Sequence, residues 1–335
     1  MPVKTINRSA YALLLSWCAI SGHATPVAWS DSSPHREGFV TVNGVRLEYL
    51  DWGGTGEALI LIHGLGDNPH VFDDLAPSFT GRFHVIAYAR RGQGRSDTRG
   101  PYDNDTLTED LRGLMDALGV DKADLVGWSM GGNEITAMAA RHPERVVRVV
   151  YLDGGYDYQD PDFDAGTKKI PAALLDTPPS ALASLDAYRS YEKATLFPAL
   201  DDMQRVEAYI RASVIIQPDG RAQLRVTPDV ESALYASLVA GPPRDYSHVR
   251  APVLAIYAQS TFNHNISDAP LLADARAWER AYFDPFRLKS IEHLRRELAH
   301  VEIVHVPGAH GSFFLTSRDR VVTAMRRFFA EPSAP

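Results

Sequence analysis

The sequence predicts an α/β fold. A mostly parallel central sheet carries helices on both faces, and a helical cap is inserted between two of its strands. Three observations predict it. Short, continuous apolar runs recur along the chain. Helical patterns lie between most of them. Residues 156–246 then break the rhythm with a stretch rich in Asp, Pro, Ala and Tyr. Strands buried on both faces read as unbroken apolar runs, and their alternation with helices means a parallel sheet covered on both sides.

The elements follow in order. Residues 39–42 and 45–50 alternate around Asn43-Gly44, a β-hairpin signal. Apolar runs at 58–62, 83–88, 123–126, 146–152, 253–257 and 301–306 read as buried strands. Helical patterns cover 107–118 and 132–141, and within the cap 180–193, 201–213 and 230–239. The core is then 38–155 and 247–332, with 156–246 a cap and not an independent domain. Residues 261–284 are long for a simple connection, which marks function or disorder. No internal repeat is visible.

Composition narrows the class. The 335 residues are 45% hydrophobic and 23% charged, the balance of a soluble globular protein. A net charge of -8 without a Lys/Arg-rich run argues against a nucleic-acid partner. Residues 1–24 read as a secretory signal peptide. Lys4 and Arg8 precede an apolar run at 10–20 that is too short to span a bilayer. Gly22-His23-Ala24 is a small-x-small site with cleavage expected after Ala24. Trp17 before Cys18 spoils a lipoprotein signal. Cys18 is the single cysteine, so the mature chain has no disulfide, thiol nucleophile or Cys-ligated metal. The expected location is the periplasm or the medium. Residues 25–37 form a flexible leader, and no later stretch is apolar enough for a membrane helix.

Gly127-Trp128-Ser129-Met130-Gly131 matches G-x-S-x-G, the turn that lifts a nucleophilic serine out of a sheet. The predicted strand 123–126 precedes it and the predicted helix 132–141 follows. The serine backbone in such a turn is strained, and its neighbours must leave room for the close strand-to-helix turn. Ser129 is therefore the expected nucleophile, and it needs a base to take its proton.

Five further runs stand in order around it: Asn43 to Tyr49, His63-Gly64-Leu65-Gly66 and Arg91-Gly92-Gln93-Gly94-Arg95-Ser96 before the serine, and Arg141-His142-Pro143-Glu144-Arg145-Val146 and Pro307-Gly308-Ala309-His310-Gly311 after it. Together they resemble the α/β-hydrolase superfamily over residues 38–332. The resemblance implies His310 as general base and the backbone N–H groups of Leu65 and Met130 as an oxyanion hole. A serine at the elbow excludes relatives that use aspartate there. His264 and His300 compete with His310, whereas His63 reads as support for the oxyanion loop and His142 as exposed or a helix cap. Arg91 belongs to a structural turn. Arg90 is less usual and could face the cleft.

The acid is open. The family commonly has G-x-x-D after the strand 253–257, but this chain reads Ala258-Gln259-Ser260-Thr261. Asp153, at the end of the strand 146–152, is where some family members carry it. Asp268, in the long stretch after Thr261, is the alternative.

The resulting expectation is an exported serine hydrolase that cleaves a small-molecule carboxylic ester or lactone through an acyl-enzyme. Trp128, Tyr156, Tyr188 and Tyr191 are the expected substrate contacts. No cofactor is required. No metal is expected, because the His and Asp residues lack ligand spacing, and Gly64-x-Gly66 is not a dinucleotide fingerprint. Two other readings stand: a receptor-like member with little turnover, allowed by the missing carboxylate at Thr261, and an aminopeptidase- or amidase-type hydrolase, allowed by Asp157, Asp160, Asp162 and Asp164.

Overall fold

The computed structural model describes residues 29–331. The expected signal peptide and cleavage site, residues 25–28 and residue 332 lie outside the described residues.

The chain opens with β1 (Arg36–Val42) and β2 (Val45–Gly53), an antiparallel hairpin. Asn43 and Gly44 both take positive φ, 48° and 74°. That turn matches the twist of the flanking strands, and Asn-Gly adopts it at least cost. β3 (Ala58–Ile62) and β4 (His84–Tyr88) follow, then α1 (Asn104–Ala117), β5 (Ala123–Trp128), α2 (Gly131–Arg141) and β6 (Val146–Leu152). The strand order is completed by β9 (Val253–Ser260) and β10 (Val301–Ala309), giving β1-β2-β4-β3-β5-β6-β9-β10. From β4 to β10 every neighbouring pair is parallel, and β2 joins β4 antiparallel.

Alternate residues of the central strands feed two separate cores. Ile60, Leu125, Val149, Tyr151 and Ala255 pack with α1 and α2 on one face. Leu61, Val126, Val150, Leu152 and Ile256 pack on the other with Phe72 and with Val321, Met325 and Phe328 of a helix near the C-terminus. The period of two places successive side chains on opposite faces, so an all-apolar strand needs cover on both.

Between β6 and β9 lie α3 (Pro161–Thr167), α4 (Leu185–Thr195), α5 (Glu207–Ser213), a short hairpin of β7 (Val214–Ile216) and β8 (Ala222–Leu224), and α6 (Pro228–Ala240). The predicted helix at 201–213 is in fact a 3-10 turn, Met203–Val206, leading into α5. The hairpin had no counterpart in the sequence reading, because three-residue strands are too short to show a period. Tyr188, Tyr209 and Ile210 of this insert join the second core, and Leu234 and Leu238 join the first. From Ser33 onward the described chain forms one compact unit, insert included.

The long stretch after β9 is structured. α7 (Ala269–Trp278) runs through a π-helical turn, Glu279–Phe283, into α8 (Asp284–Glu297). Such turns are rare within helices and often mark functional sites. Here the turn directs Glu279 back at the loop behind β9. Its carboxylate accepts the N–H groups of Thr261 (2.7 Å) and Phe262 (2.9 Å) and meets His264 Nε2 at 2.7 Å. β10 pairs with β9 and is followed by α9 (Phe313–Thr316) and α10 (Arg318–Ala330). Among the described residues no helix is long and apolar enough to cross a membrane.

Candidate active site

Ser129 sits between β5 and α2 with φ 53°. This left-handed conformation is costly for a residue with a side chain, and the surroundings must hold it. Two backbone bonds do so. Ser129 N–H donates to Leu152 O (3.1 Å), and Gly132 N–H donates to Ser129 O (2.9 Å). The flanking glycines are there for space. A Cβ on Gly127 would stand 2.5 Å from Gly131 O, and one on Gly131 would stand 2.5 Å from Ile62 O. Strand and helix could not approach so closely otherwise.

His310 follows β10, whose register shifts between Val306 and Ala309. A bulge of this kind bends a strand and re-aims the side chain beyond it. His310 N–H donates to Ser260 O at 2.8 Å, which ties the loop to the end of β9. Its Nε2 lies 2.9 Å from Ser129 Oγ, and its Nδ1 lies 2.7 Å from Asp153 Oδ2. With the Nδ1 proton directed to the carboxylate, Nε2 is left to accept from the serine hydroxyl.

Asp153 is 1% exposed and also has positive φ, 49°. Its N–H donates to Ile256 O (2.7 Å), and its Oδ1 accepts Ala258 N–H (3.2 Å) and the Tyr156 hydroxyl. A buried carboxylate with both oxygens bonded is fixed in place. Asp268 is placed differently. It is the N-cap of α7, where its Oδ1 accepts Leu271 N–H at 3.0 Å. The structure brings Asp153, not Asp268, to His310.

The other histidines have separate work. His264 pairs with Glu279, His142 caps α2 and meets Glu109 Oε1 at 3.1 Å, and His300 contributes its carbonyl to Val253 N–H. His63 is fully buried, with Nδ1 2.9 Å from Gly64 O. Burial, then the Arg90 charge, hold its pKa well below the ordinary value, so it stays neutral.

The loop after β3 carries Leu65 beside the serine. Among the described residues, neither Leu65 N–H nor Met130 N–H donates to a protein acceptor. The close approach needs Gly64, where a Cβ would stand 3.3 Å from Ser129 Cβ. Arg90 does not face the cleft, contrary to the sequence reading. It is fully buried and holds this loop from beneath, donating to His63 O (2.6 Å) and Gly64 O (2.8 Å). Its Nε donates to Glu134 Oε1 at 2.7 Å, and Tyr88 donates to Glu134 Oε2 at 2.7 Å. A guanidinium offers five donors in a fork, and here the buried loop and the Glu134 carboxylate share them. Glu134 lies in the first turn of α2, so Arg90, which follows β4, links the serine's helix to the loop after β3. Arg91 pairs with Asp110 on α1, away from the serine.

A cavity of about 670 Å³ opens above Ser129 and His310. Its wall is mainly apolar and aromatic, including Leu65, Tyr156, Tyr158, Phe163, Trp278 and Phe283. Of the four aromatic residues expected at the substrate, only Tyr156 lines it. Trp128 lies beneath His310, donating Nε1–H to His310 O at 3.1 Å. Tyr188 packs in the second core, and Tyr191 donates to Asp176 O at 3.2 Å. Their spacing along a helix could not distinguish cavity wall from core. Trp278 and Phe283 were missed because they lie beyond β9, in the stretch read as a connection. The helical spacing of Trp278, Tyr282, Phe283 and Phe286 was the available signal.

The acidic run lies away from the cavity, whose acidic lining is Asp176 and Glu231 instead. Asp157 meets His293 (2.8 Å), Asp160 pairs with Lys289 and Asp164 with Lys168, and none of these acids lines the cavity. Glu37, Glu48 and His70 come close enough to share an ion, but Arg95 already binds both carboxylates, at 2.6 and 2.7 Å.

Residues 57–184 match the family model described as the alpha/beta hydrolase fold. Two relatives named "Putative carbamate hydrolase RutD" align with the chain. That of Caulobacter segnis is 37% identical over 48% of this chain and 58% of its own length. That of Caulobacter sp. (strain K31) is 30% identical over 59% of this chain and 70% of its own. The chain thus spans little more than half of the first of them. A pimeloyl-[acyl-carrier protein] methyl ester esterase of Neisseria meningitidis is 28% identical over 59% of each chain. Among solved structures, E-2-(acetamidomethylene)succinate hydrolase superposes with a TM-score of 0.66 at 22% identity, covering 89% of this chain and all of that one. The strand order, the serine between β5 and α2, and these relatives agree: the chain belongs to the α/β-hydrolase family.

Proposed function

We propose that the protein is an exported serine hydrolase that cleaves a carboxylic ester or lactone through an acyl-enzyme. The observation that carries this reading is the continuous hydrogen-bonded line from Ser129 Oγ through His310 to Asp153, with spans of 2.9 and 2.7 Å. A serine hydroxyl becomes a competent nucleophile when an adjacent imidazole takes its proton.

Ser129 Oγ attacks the acyl carbonyl as His310 Nε2 accepts its proton. Asp153 keeps the other proton on Nδ1 and stabilises the imidazolium that forms. The oxyanion enters between the N–H groups of Leu65 and Met130, each worth about 3–4 kcal/mol to the transition state. His310 returns its proton to the departing oxygen, and the acyl group stays on Ser129. Water, activated by the same imidazole, then releases the acid.

The aromatic wall suits a medium-sized apolar or aromatic acyl or alcohol group. The methyl ester esterase relative supports an ester substrate. Export rests on the basic and apolar pattern of residues 1–24. The low-turnover reading depended on no carboxylate reaching His310, and the Asp153 contact speaks against it. The aminopeptidase reading loses its support with the acidic run outside the cavity.

Fluorophosphonate labelling of the mature protein, read by peptide mass, tests the reading. One adduct on Ser129, absent in Ser129→Ala and slowed in His310→Ala, is expected. A folded protein that takes no label and hydrolyses no ester or lactone would overturn it. Export is tested separately by the N-terminal residue and compartment of the expressed full chain, with Thr25 expected first.

A further inference from the structure

Tyr158 is 4% exposed, and its hydroxyl is buried with no hydrogen-bond partner among the described residues. Leaving such a group unpaired costs folding free energy. A buried polar atom of this kind calls for an explanation. Tyr158 lines the same cavity as Ser129 and His310. Burial pushes the phenol well above its ordinary pKa, against the opposing pull of Arg244 and then of its approach to the Ser129 hydroxyl, so the hydroxyl keeps its proton and can donate it to a group beside Ser129.

The ring is firmly held. It meets Phe163 edge-on at 5.1 Å and Tyr156 at 5.9 Å. The Arg244 guanidinium lies over it at 5.7 Å. Arg244 in turn donates to Gly154 O at 2.7 Å and to Asn133 Oδ1 in the first turn of α2. The phenol is thus located relative to the serine's helix and to the end of β6.

Sheet order decides which part of a substrate it meets. β5 carries Ser129 and lies between β3 and β6. The Leu65 loop follows β3, on one side of the serine. Tyr158 follows β6, on the other side, from which His310 also reaches in. A carbonyl oxygen held at Leu65 and Met130 turns the remaining heteroatom of the ester toward Tyr158 and His310.

We infer that the Tyr158 hydroxyl donates a hydrogen bond to the leaving-group oxygen of the ester, or the ring oxygen of a lactone, as the tetrahedral intermediate collapses. This rests on the reading of Ser129 as the acylated nucleophile. In that step the bond from the acyl carbon to the leaving oxygen breaks, and its electron pair goes to the oxygen. The proton comes from His310 Nε2. Tyr158 retains its own proton and lowers the cost of the charge in transit.

The test compares the unsubstituted protein with Tyr158→Phe on esters of one acyl group and alcohols of rising pKa, from p-nitrophenol to ethanol. The substitution removes only the unpaired hydroxyl, so thermal stability and fluorophosphonate labelling of Ser129 should be kept. The expected result is a fall in kcat/KM of about 10- to 100-fold for the ethyl ester, little change for the p-nitrophenyl ester, and a steeper dependence on leaving-group pKa. A poor leaving group needs the donor, whereas p-nitrophenolate leaves without it. An equal loss across the series, or no loss at all, would overturn the inference. Failure of the acyl-enzyme reading shows separately, as an unsubstituted protein that neither labels nor turns over any ester in the series.

Discussion

Asp153 Oδ2 and His310 Nδ1 stand 2.7 Å apart although a whole strand, β9, lies between the strands that carry them. The carboxylate reaches across the end of β9 and is braced by the strand it crosses. Its other oxygen accepts Ala258 N–H from β9, and its own N–H donates to Ile256 O on the same strand. The positive φ of Asp153 turns the chain at the end of β6 so that both contacts are made.

That bracing gives a sharp expectation for the acid. Asp153→Asn should lower kcat by roughly 10³- to 10⁴-fold with a small change in KM, because the amide presents the wrong tautomer to His310. Asp268→Asn should stay within about twofold, since Asn also caps helices well. Steady-state kinetics on one ester checks both. A large loss in Asp268→Asn would contradict the assignment.

Gly64 should be intolerant for reasons of reach. An alanine Cβ there would stand 2.8 Å from Asp67 Oδ2 and 3.3 Å from Ser129 Cβ. Displacing the loop or the serine by a fraction of an ångström should lower kcat/KM by about 10²-fold. Thermal unfolding should move far less than activity, because the crowding is local. Equal retention of activity would show that the loop has room to yield.

Arg90 and Glu134 make a buried pair whose disruption should be costly. Arg90→Met leaves the Glu134 charge uncompensated and should cost about 3–5 kcal/mol in urea unfolding. Adding Glu134→Leu should restore much of that stability. It should not restore activity, since the carbonyls of His63 and Gly64 would still lack the donors that hold the Leu65 loop. Recovery of both together would remove the positioning role.

Glu192 should make stability fall as pH rises. It is buried on α4, and burial raises its pKa to about 7, with a Tyr188 hydrogen bond opposing and Asp67 adding to the rise. The folded state therefore holds a proton that the unfolded chain has already lost. Its contribution is fully present below the unfolded value near 4.5 and is lost as pH climbs through about 7. Asp67 is shifted in the same direction by burial, but it is partly exposed and water takes up some of that effect. Unfolding free energy should thus decline from pH 5 to pH 8, and Glu192→Gln should flatten the decline. A parallel slope in the variant would refute the role of Glu192.

Much of the scaffold was legible because its signals are local. The runs at 58–62 and 146–152 are the bounds of β3 and β6 themselves, since strands covered on both faces must be apolar throughout. The Asn43-Gly44 turn and the glycines around Ser129 announce backbone conformations that few residues adopt. Ser129 was singled out by its G-x-S-x-G run and His310 by a run resembling the family's, and the structure places their side chains 2.9 Å apart. The choice between Asp153 and Asp268 could not be read from short runs, because it depends on which carboxylate the sheet order carries to the imidazole. The burial of Arg90 under the Leu65 loop, the orientation of Trp128 beneath His310 and the lone hydroxyl of Tyr158 at the cavity wall are of the same kind. The first two join segments far apart in the chain, and the third is set by what packing leaves unpaired. A sequence states the local conformations its residues prefer, whereas the partner of a buried polar group is chosen by three-dimensional packing.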